Sequence, residues 1–332
     1  MLILGIECTA HTFGVALVRK SEGGEYGGWE ILSNKKKAFT SPDAGMIPAK
    51  VSDHHVEHSA SILAAALSEA NVTVDQVDLI AFSQGPGIGN SLRIGAALAR
   101  SLAMRLHKPL VGVNHCVAHL EIGRILGKVE DPVLLYASGA NTQIIALEAG
   151  TYRVFGETLD TGVGNFLDTL GRELGMGFPA GPVIEQAAIT GTYHALPYSV
   201  KGMDVSFSGL LSAAKRAHEA GMSNEDLCCS VQETVFAMLT EVAERALAHS
   251  GKRALVLGGG VACNRRLQQM CSEMCAARGV QFYVPEKQYL VDNAAMIAVT
   301  GALMHSSGIS TLLAESEVRP RERTDQIAVT WR

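Results

Sequence analysis

The chain has 332 residues, 47% of them hydrophobic and 18% charged, with a formal net charge of −5. That length exceeds what one core usually holds and predicts two lobes, and the apolar content excludes a disordered chain. The acidic balance argues against strong autonomous binding of nucleic acid, which leaves room only for a local basic patch or a surface shared with partners.

No apolar stretch approaches the length of a membrane span. No basic region precedes the first apolar run, so a signal peptide is not expected and a cytoplasmic protein is. The seven cysteines lie scattered without a Cys-x-x-Cys pair, which reads as reduced thiols.

In chain order, Ile3 to Glu7 reads as a buried strand, Cys8 to Thr12 as a tight polar turn, and the apolar run ending at Val18 as a second strand. Ser21 to Gly28 is a Gly-rich turn. Residues 40–50, with Pro42, Gly45 and Pro48, read as a loop, after which Ser52-Asp53 cap a helix running to about Ala70. Val77 to Phe82 is a strand, Gly85-Pro86-Gly87-Ile88-Gly89 a turn, Ser91 to Leu106 a helix and Leu110 to Val113 a strand that leads into a helix from His115.

A second half begins at Pro132. It repeats the opening: the strand Val133 to Ala137, the turn Ser138-Gly139-Ala140-Asn141-Thr142, then Ile144 to Leu147. A third strand lies near Tyr152–Phe155, and a Gly- and polar-rich region from 156 to 209 is too polar for simple core. A long helix follows over Asn224 to Ser250. Arg253 to Leu257 is a strand, Gly258-Gly259-Gly260 a turn, Asn264 to Arg278 a helix, Gln281 to Val284 a strand and Asp292 to His305 a helix. The tail Arg319–Arg332 is charged; its Arg319, Arg321 and Arg323, like Lys35-Lys36-Lys37, fit either a phosphate-binding patch or ordinary solvated surface.

The duplicated strand–turn–strand pattern fits a duplicated α/β domain facing a shared nucleotide cleft, the build of actin-like ATPases and sugar kinases. It also fits two unrelated hairpins. Small residues in each turn let backbone N–H groups approach an anion, and the hydroxyls add donors. His115 and His119, four apart at a helix start, project from one face and suit two ligands on one metal, or two ordinary polar helix histidines. A zinc protease would carry Glu where Cys116 stands, so that reading is poor. His54, His55 and His58 form a rival cluster that follows a loop and reads as structural or interfacial. The glycine turn at 258–260 suits close approach of a flat base or ribose, or is a generic strand–helix turn.

Taken together, seven stretches resemble one family. They are Ile6-Glu7-x-Thr9-Ala10-His11-Thr12, Ser83-Gln84-Gly85-Pro86-Gly87, Gly112-Val113-Asn114-His115-Cys116-x-Ala118-His119, Ser138-Gly139-x-Asn141-Thr142, Gly164-Asn165-x-x-Asp168, Gly258-Gly259-x-Val261-x-Asn264 and Arg323-Thr324-Asp325-x-x-x-Val329-Thr330-Trp331-Arg332. In this order, across essentially the whole chain, they look like the universal tRNA threonylcarbamoyladenosine transferase. That enzyme is the catalytic subunit of the KEOPS complex, TsaD in bacteria. The Ala-His-Thr opening and Val-Thr-Trp-Arg end look archaeal or eukaryotic.

The resemblance implies an actin-like ATPase fold of two duplicated α/β lobes around a nucleotide cleft. Lobe I would span 1–131, with 294–332 packing back on it, and lobe II 132–293. It implies an acyltransferase that moves threonylcarbamoyl from threonylcarbamoyl-AMP to N6 of the adenosine 3′ of the anticodon, position 37 of ANN-decoding tRNAs. An actin-fold ATPase or kinase, with Glu7 on magnesium, and a nucleotide-switched scaffold are the alternatives.

The family metal site falls on His115, His119, Tyr136 and Asp292, a set that suits iron, with zinc as the other choice. The substrate and adenine-nucleotide residues fall on Tyr136, Ala137, Ser138, Gly139, Ala140, Asp168, Gly181, Glu185 and Asn264. Asp168 and Glu185 would meet ribose hydroxyls and Asn264 the adenylate. No proton acceptor is assigned. Implied partners are tRNA and KEOPS subunits: a small dimerising subunit on lobe I, a small atypical kinase that some relatives carry fused, and a further accessory subunit. No membrane is implied. Relatives usually carry Gly at positions 140 and 8, where this chain has Ala140 and Cys8. If position 140 needs positive φ, alanine there costs roughly 1 kcal/mol.

Overall fold

A computed structural model of the chain describes residues 1–40 and 47–332. Most of the loop expected over 40–50 lies outside the described residues. The strands are β1 (Leu2–Glu7), β2 (Thr12–Lys20), β3 (Trp29–Ala38), β4 (Leu79–Gly85), β5 (Leu110–Asn114), β6 (Val133–Ala137), β7 (Thr142–Glu148), β8 (Thr151–Glu157), β9 (Val200–Lys201), β10 (Asp204–Val205), β11 (Ala254–Gly258) and β12 (Gln281–Tyr283). The helices are α1 (Pro48–Ala70), α2 (Gly89–Leu106), α3 (His115–Gly127), α4 (Val163–Glu173), α5 (Gly181–Ala188), α6 (Ser208–Glu219), α7 (Asn224–Ser250), α8 (Arg265–Arg278), α9 (Lys287–Leu290) and α10 (Ala294–Ser306). Among the described residues no helix is long and apolar enough to cross a membrane.

The chain divides into two units. Met1–Lys128, Glu148–Tyr152 and Asp292–Arg332 form the first; Val129–Leu147 and Arg153–Val291 form the second. The two main sheets carry the same order. One reads β3-β2-β1-β4-β5 and the other, from its far edge, β8-β7-β6-β11-β12. In each, the opening strand pairs antiparallel with its hairpin partner and parallel with the strand on its other side. The duplication read from the two hairpins therefore extends to the whole sheet.

In the first unit every residue of β1 is buried, because helices cover both faces of the sheet. Leu4, Ile6, Phe13, Val15 and Leu17 pack with Ala66, Ala96 and Ala99 of α1 and α2. The other face receives α10, which is buried without a break from Ala294 to Leu303. Gly5 is what lets α10 lie so close: a Cβ there would stand 2.3 Å from the Ala294 carbonyl oxygen and 2.9 Å from the Ala298 Cβ. Burying each large aliphatic side chain contributes about 1.5–3 kcal/mol, so these faces carry much of the unit's stability. Helix α1 starts at Pro48 rather than Ser52. Proline is at home in the first helical turn, where its missing N–H goes unused, and the Ser52 hydroxyl donates to the Pro48 carbonyl at 3.0 Å instead of capping.

The core of the second unit is built around α7, whose Ser223 cap accepts from the Asp226 N–H at 3.1 Å and whose end is marked by Gly251 at φ 69°. Around it pack Val133, Leu135 and Ala137 of β6, Phe166 and Leu170 of α4, Ile184 of α5 and Leu210 of α6. Two helices, α4 and α5, thus occupy the region read only as Gly-rich and polar, and α6 begins at its end. The first turn of α6 is capped from a distance: Asp160 accepts from the Phe207 and Ser208 N–H groups at 3.0 and 2.8 Å. Burial alone would raise the Asp160 carboxyl, but these N–H groups and the Ser206 hydroxyl hold it well below the usual carboxylate range.

Candidate active site

The two histidines are set by the end of β5. Asn114 is the residue before α3, and its side-chain oxygen accepts from the Cys116 and Val117 N–H groups at 3.0 and 3.1 Å. That fixes where α3 begins, and the four-residue spacing then puts His115 and His119 on one face with ring centroids 4.8 Å apart. Asp292 arrives from the start of α10, where Asn293 caps the helix by accepting from the Met296 N–H at 3.0 Å. Asp292 Oδ1 lies 3.4 Å from His115 Nε2 and 3.4 Å from His119 Nε2. One ligand atom from each of the three residues lies within 4.8 Å of the others.

A second carboxylate stands behind the first histidine. Glu7, fully buried at the end of β1, places Oε2 3.1 Å from His115 Nδ1, so the imidazole presents Nε2 to Asp292. Glu7 is itself held by the Thr9 N–H at 2.8 Å and by the Thr9 hydroxyl, which also lies 3.2 Å from His115 Nδ1. Burial alone would raise the Asp292 carboxyl. The two imidazoles outweigh it and hold Asp292 well below its ordinary range. Burial lowers His119, against the pull of Asp292. A neutral imidazole and an ionised carboxylate are the states in which these groups ligate a cation, and two nitrogens with one oxygen suit a first-row transition metal. The residues present fit a metal ion.

The remaining candidate residues all belong to the second unit. Tyr136 is 1% exposed near the end of β6, opposite Gln143 on β7 and Gly258 on β11. Ser138 closes the hairpin turn on itself: its N–H and hydroxyl both donate to the Asn141 carbonyl, at 2.9 and 3.0 Å. The Ser138 and Gly139 carbonyls accept from Gly164 and Asn165 at 3.0 and 2.9 Å. The start of α4 is thus sewn to the turn, which leaves Gly139 and Ala140 exposed at its tip. Ala140 is not among the described residues with positive φ, so alanine there carries no left-handed strain.

Helix starts gather beside this turn. Gly259, at φ 91°, lies so close that a Cβ would stand 2.3 Å from the Ala137 carbonyl oxygen. Asn264 caps α8 by accepting from the Arg266 N–H at 2.8 Å and donates to Gln232 Oε1 at 2.9 Å. Glu185 of α5 accepts from the Arg265 N–H at 2.8 Å. Asp168 accepts from the Ala180 N–H at 2.8 Å, just ahead of Gly181. The first N–H groups of α4 and α8 are thus already engaged within the unit.

Residues 30–299 match the TsaD family, described as tRNA N6-adenosine threonylcarbamoyltransferase. The enzyme of that name from Thermococcus kodakarensis is 50% identical over 333 residues, covering all of both chains. This chain belongs to the tRNA N6-adenosine threonylcarbamoyltransferase family. Another relative, the probable bifunctional tRNA threonylcarbamoyladenosine biosynthesis protein of Methanocaldococcus jannaschii, is 49% identical over the whole of this chain and 60% of its own. Among solved structures, HypF from T. kodakarensis superposes with a TM-score of 0.63 at 15% identity, over 91% of this chain and 48% of that one. An activator of 2-hydroxyisocaproyl-CoA dehydratase from Clostridium difficile gives 0.55 at 10% identity, over 94% and 99%. These neighbours fix the fold as actin-like and nothing more.

The two positions where the resemblance leads one to expect glycine have structural accounts. Ala140 is exposed and unstrained. Cys8 is buried, donates its thiol to the Ser91 carbonyl at 2.9 Å and sits 2.7 Å from where a Cβ on Gly95 would be. Burial pushes its thiol far up, so it behaves as a small neutral filler.

If the turn at Ser138–Asn141 holds the adenylate, as the resemblance implies, Ala140→Val should weaken binding of a non-hydrolysable adenylate analogue several-fold without moving the melting temperature. Asn264→Ala should weaken binding and also lower the melting temperature, since it removes the α8 cap, worth about 1 kcal/mol. Calorimetry and thermal melts on the two variants check this. Unchanged affinity in both would place the nucleotide elsewhere.

Proposed function

We propose that the protein transfers the threonylcarbamoyl group of threonylcarbamoyl-AMP to N6 of adenosine 37 in ANN-decoding tRNAs. The observation that carries this is the convergence of His115, His119 and Asp292 in a chain 50% identical, end to end, to a tRNA N6-adenosine threonylcarbamoyltransferase. His115, His119 and Asp292 would hold one metal ion, iron in our reading rather than zinc, with Tyr136 as the phenolate that the resemblance adds. When bound, the ion supplies Lewis acidity that polarises the carbamoyl group. Glu7 and Thr9 fix the ring of His115. Gly139 and Ala140, at the exposed tip of the turn, would offer backbone N–H groups to the adenylate phosphate, with Ala137 and Ser138 holding the turn behind them and Asp168, Gly181, Glu185 and Asn264 around the nucleoside. The amine nitrogen attacks the carbamoyl carbon, the anhydride bond to AMP breaks, and the amine proton leaves.

A small-molecule kinase would use Glu7 for magnesium, but Glu7 is fully buried and engaged by Thr9 and His115. The setting we propose is cytoplasmic, with tRNA gripped jointly by this acidic chain and KEOPS-type subunits. Incubation with threonylcarbamoyl-AMP, unmodified tRNA and those subunits, followed by nucleoside mass spectrometry, tests the reading. Threonylcarbamoyladenosine at position 37 is the expected product. ATP turnover without RNA and no modified nucleoside would overturn it.

A further inference from the structure

From Ile309 to the end the chain carries almost no regular structure, yet it is fastened to the first unit at successive points. The Thr311 N–H donates to the Leu110 carbonyl at 2.7 Å, and Gln84 Nε2 donates to the Glu317 carbonyl at 2.8 Å. The Arg319 N–H donates to the Gln84 carbonyl at 2.7 Å and the Gly87 N–H to the Pro320 carbonyl at 3.2 Å. The segment therefore crosses the carboxyl end of β4 as a strap. Two further fastenings, besides one from the Val329 N–H to the Gly150 carbonyl at 2.8 Å, reach α3 and the residue that caps it. Asn114 Nδ2 donates to Glu322 Oε2 at 3.0 Å, and Trp331 Nε1 donates to Glu121 Oε1 at 2.9 Å.

These two points bracket the histidines. Asn114 immediately precedes His115, and Glu121 stands two residues after His119. Asn114 can cap α3 only with its oxygen turned toward the Cys116 and Val117 N–H groups, and the Glu322 carboxylate holds the amide in that orientation by taking its N–H. Glu121 is fully buried and satisfied by Arg124, by the Tyr152 hydroxyl and by Trp331, whose indole is only 7% exposed. Removing one donor from a buried carboxylate is costly, so the helix and the strap tail hold each other in place.

We propose that the strap is a positioning device for the metal centre, with Glu322 and Trp331 as positioning residues. By pinning α3 on both sides of His115 and His119 they set where the two Nε2 atoms stand against Asp292, which arrives from a different helix. Metal ligation tolerates errors of only about 0.2 Å, so small displacements of α3 are felt at the site. This inference rests on the metal reading above.

Titration of the full chain with cobalt(II), followed by its visible absorption, tests it without any turnover. Trp331→Phe keeps an aromatic ring but removes the indole N–H and part of the buried volume; Glu322→Ala deletes the acceptor for Asn114. Both should bind cobalt(II) about tenfold more weakly, with an altered visible band, while still folded at the assay temperature. Glu322→Gln keeps a side-chain oxygen for Asn114 and should recover most of the affinity. Wild-type affinity and band shape in both Trp331→Phe and Glu322→Ala, with only the melting temperature lowered, would make the strap merely structural and overturn the proposal. A wild-type chain that takes up no cobalt(II), or a His119→Ala chain that takes it up equally well, would remove the metal reading and this inference with it.

Discussion

In a His119→Ala variant we expect metal content to fall to background and transfer to drop by at least about a thousandfold. Lewis-acid stabilisation is worth several kcal/mol, and each 1.4 kcal/mol is a factor of ten. The fold should survive. His119 is buried, and truncating it leaves a cavity at a cost of about 1–3 kcal/mol, well within the reserve of a unit with apolar cores on both faces of its sheet. His54→Ala is the matched control. That ring lies 3.3 Å from His55 and stacks edge-on with His58 and Phe39, so its loss should leave metal content unchanged. Normal metal content in a folded His115→Ala/His119→Ala double variant, measured by elemental analysis, would sink the assignment.

The second large effect is expected at Gly259. Alanine there must adopt φ near 91° and would put its methyl 2.3 Å from the Ala137 carbonyl oxygen and 3.0 Å from the Ser138 nitrogen. The backbone strain alone costs about 1–3 kcal/mol, and the clash pushes on the turn that we assign to phosphate. Gly259→Ala should lower the melting temperature and cut adenylate affinity more than tenfold. Its neighbour provides the comparison: a Cβ on Gly260 meets nothing nearer than Val291 Cγ1 at 3.9 Å, so Gly260→Ala should be silent in both measurements. Calorimetry on the pair decides it. Equal binding by both variants would mean that the 138–141 turn does not hold the nucleotide.

What could be read without coordinates was what repeats or recurs locally. The paired hairpins announced two similar sheets, and the four-residue spacing of His115 and His119 announced a shared helix face. Asp292 was joined to those histidines only by the family resemblance and Glu7 not at all, because both reach them only through the stacking of β1, β5 and α10. Some misses were avoidable. Val163, Phe166, Leu167 and Leu170 are spaced as one helix face and are all buried, so α4 was open to discovery in a stretch dismissed as polar. Asn264 directly before the helix run Arg265 to Arg278 carries the sign of a cap, which is how it is used. The tail looked charged and surface-bound, but Val329 and Trp331 are each 7% exposed, and nothing local distinguishes such anchors from ordinary tail residues.

The close seating of α10 on β1 has a consequence for how the site breathes. With Ala294 to Leu303 sealed on every side and Gly5 leaving no gap beneath, water reaches the backbone amides of α10 only when the surrounding unit comes apart. Its amide protons should therefore be among the slowest in the chain to trade for deuterium. Asp292 stands just before that segment and is about one-sixth exposed on its side chain, 17%. The carboxylate thus meets solvent from the rim of the most durable part of the unit, and it can remain fixed through the brief local openings that release loops and chain ends.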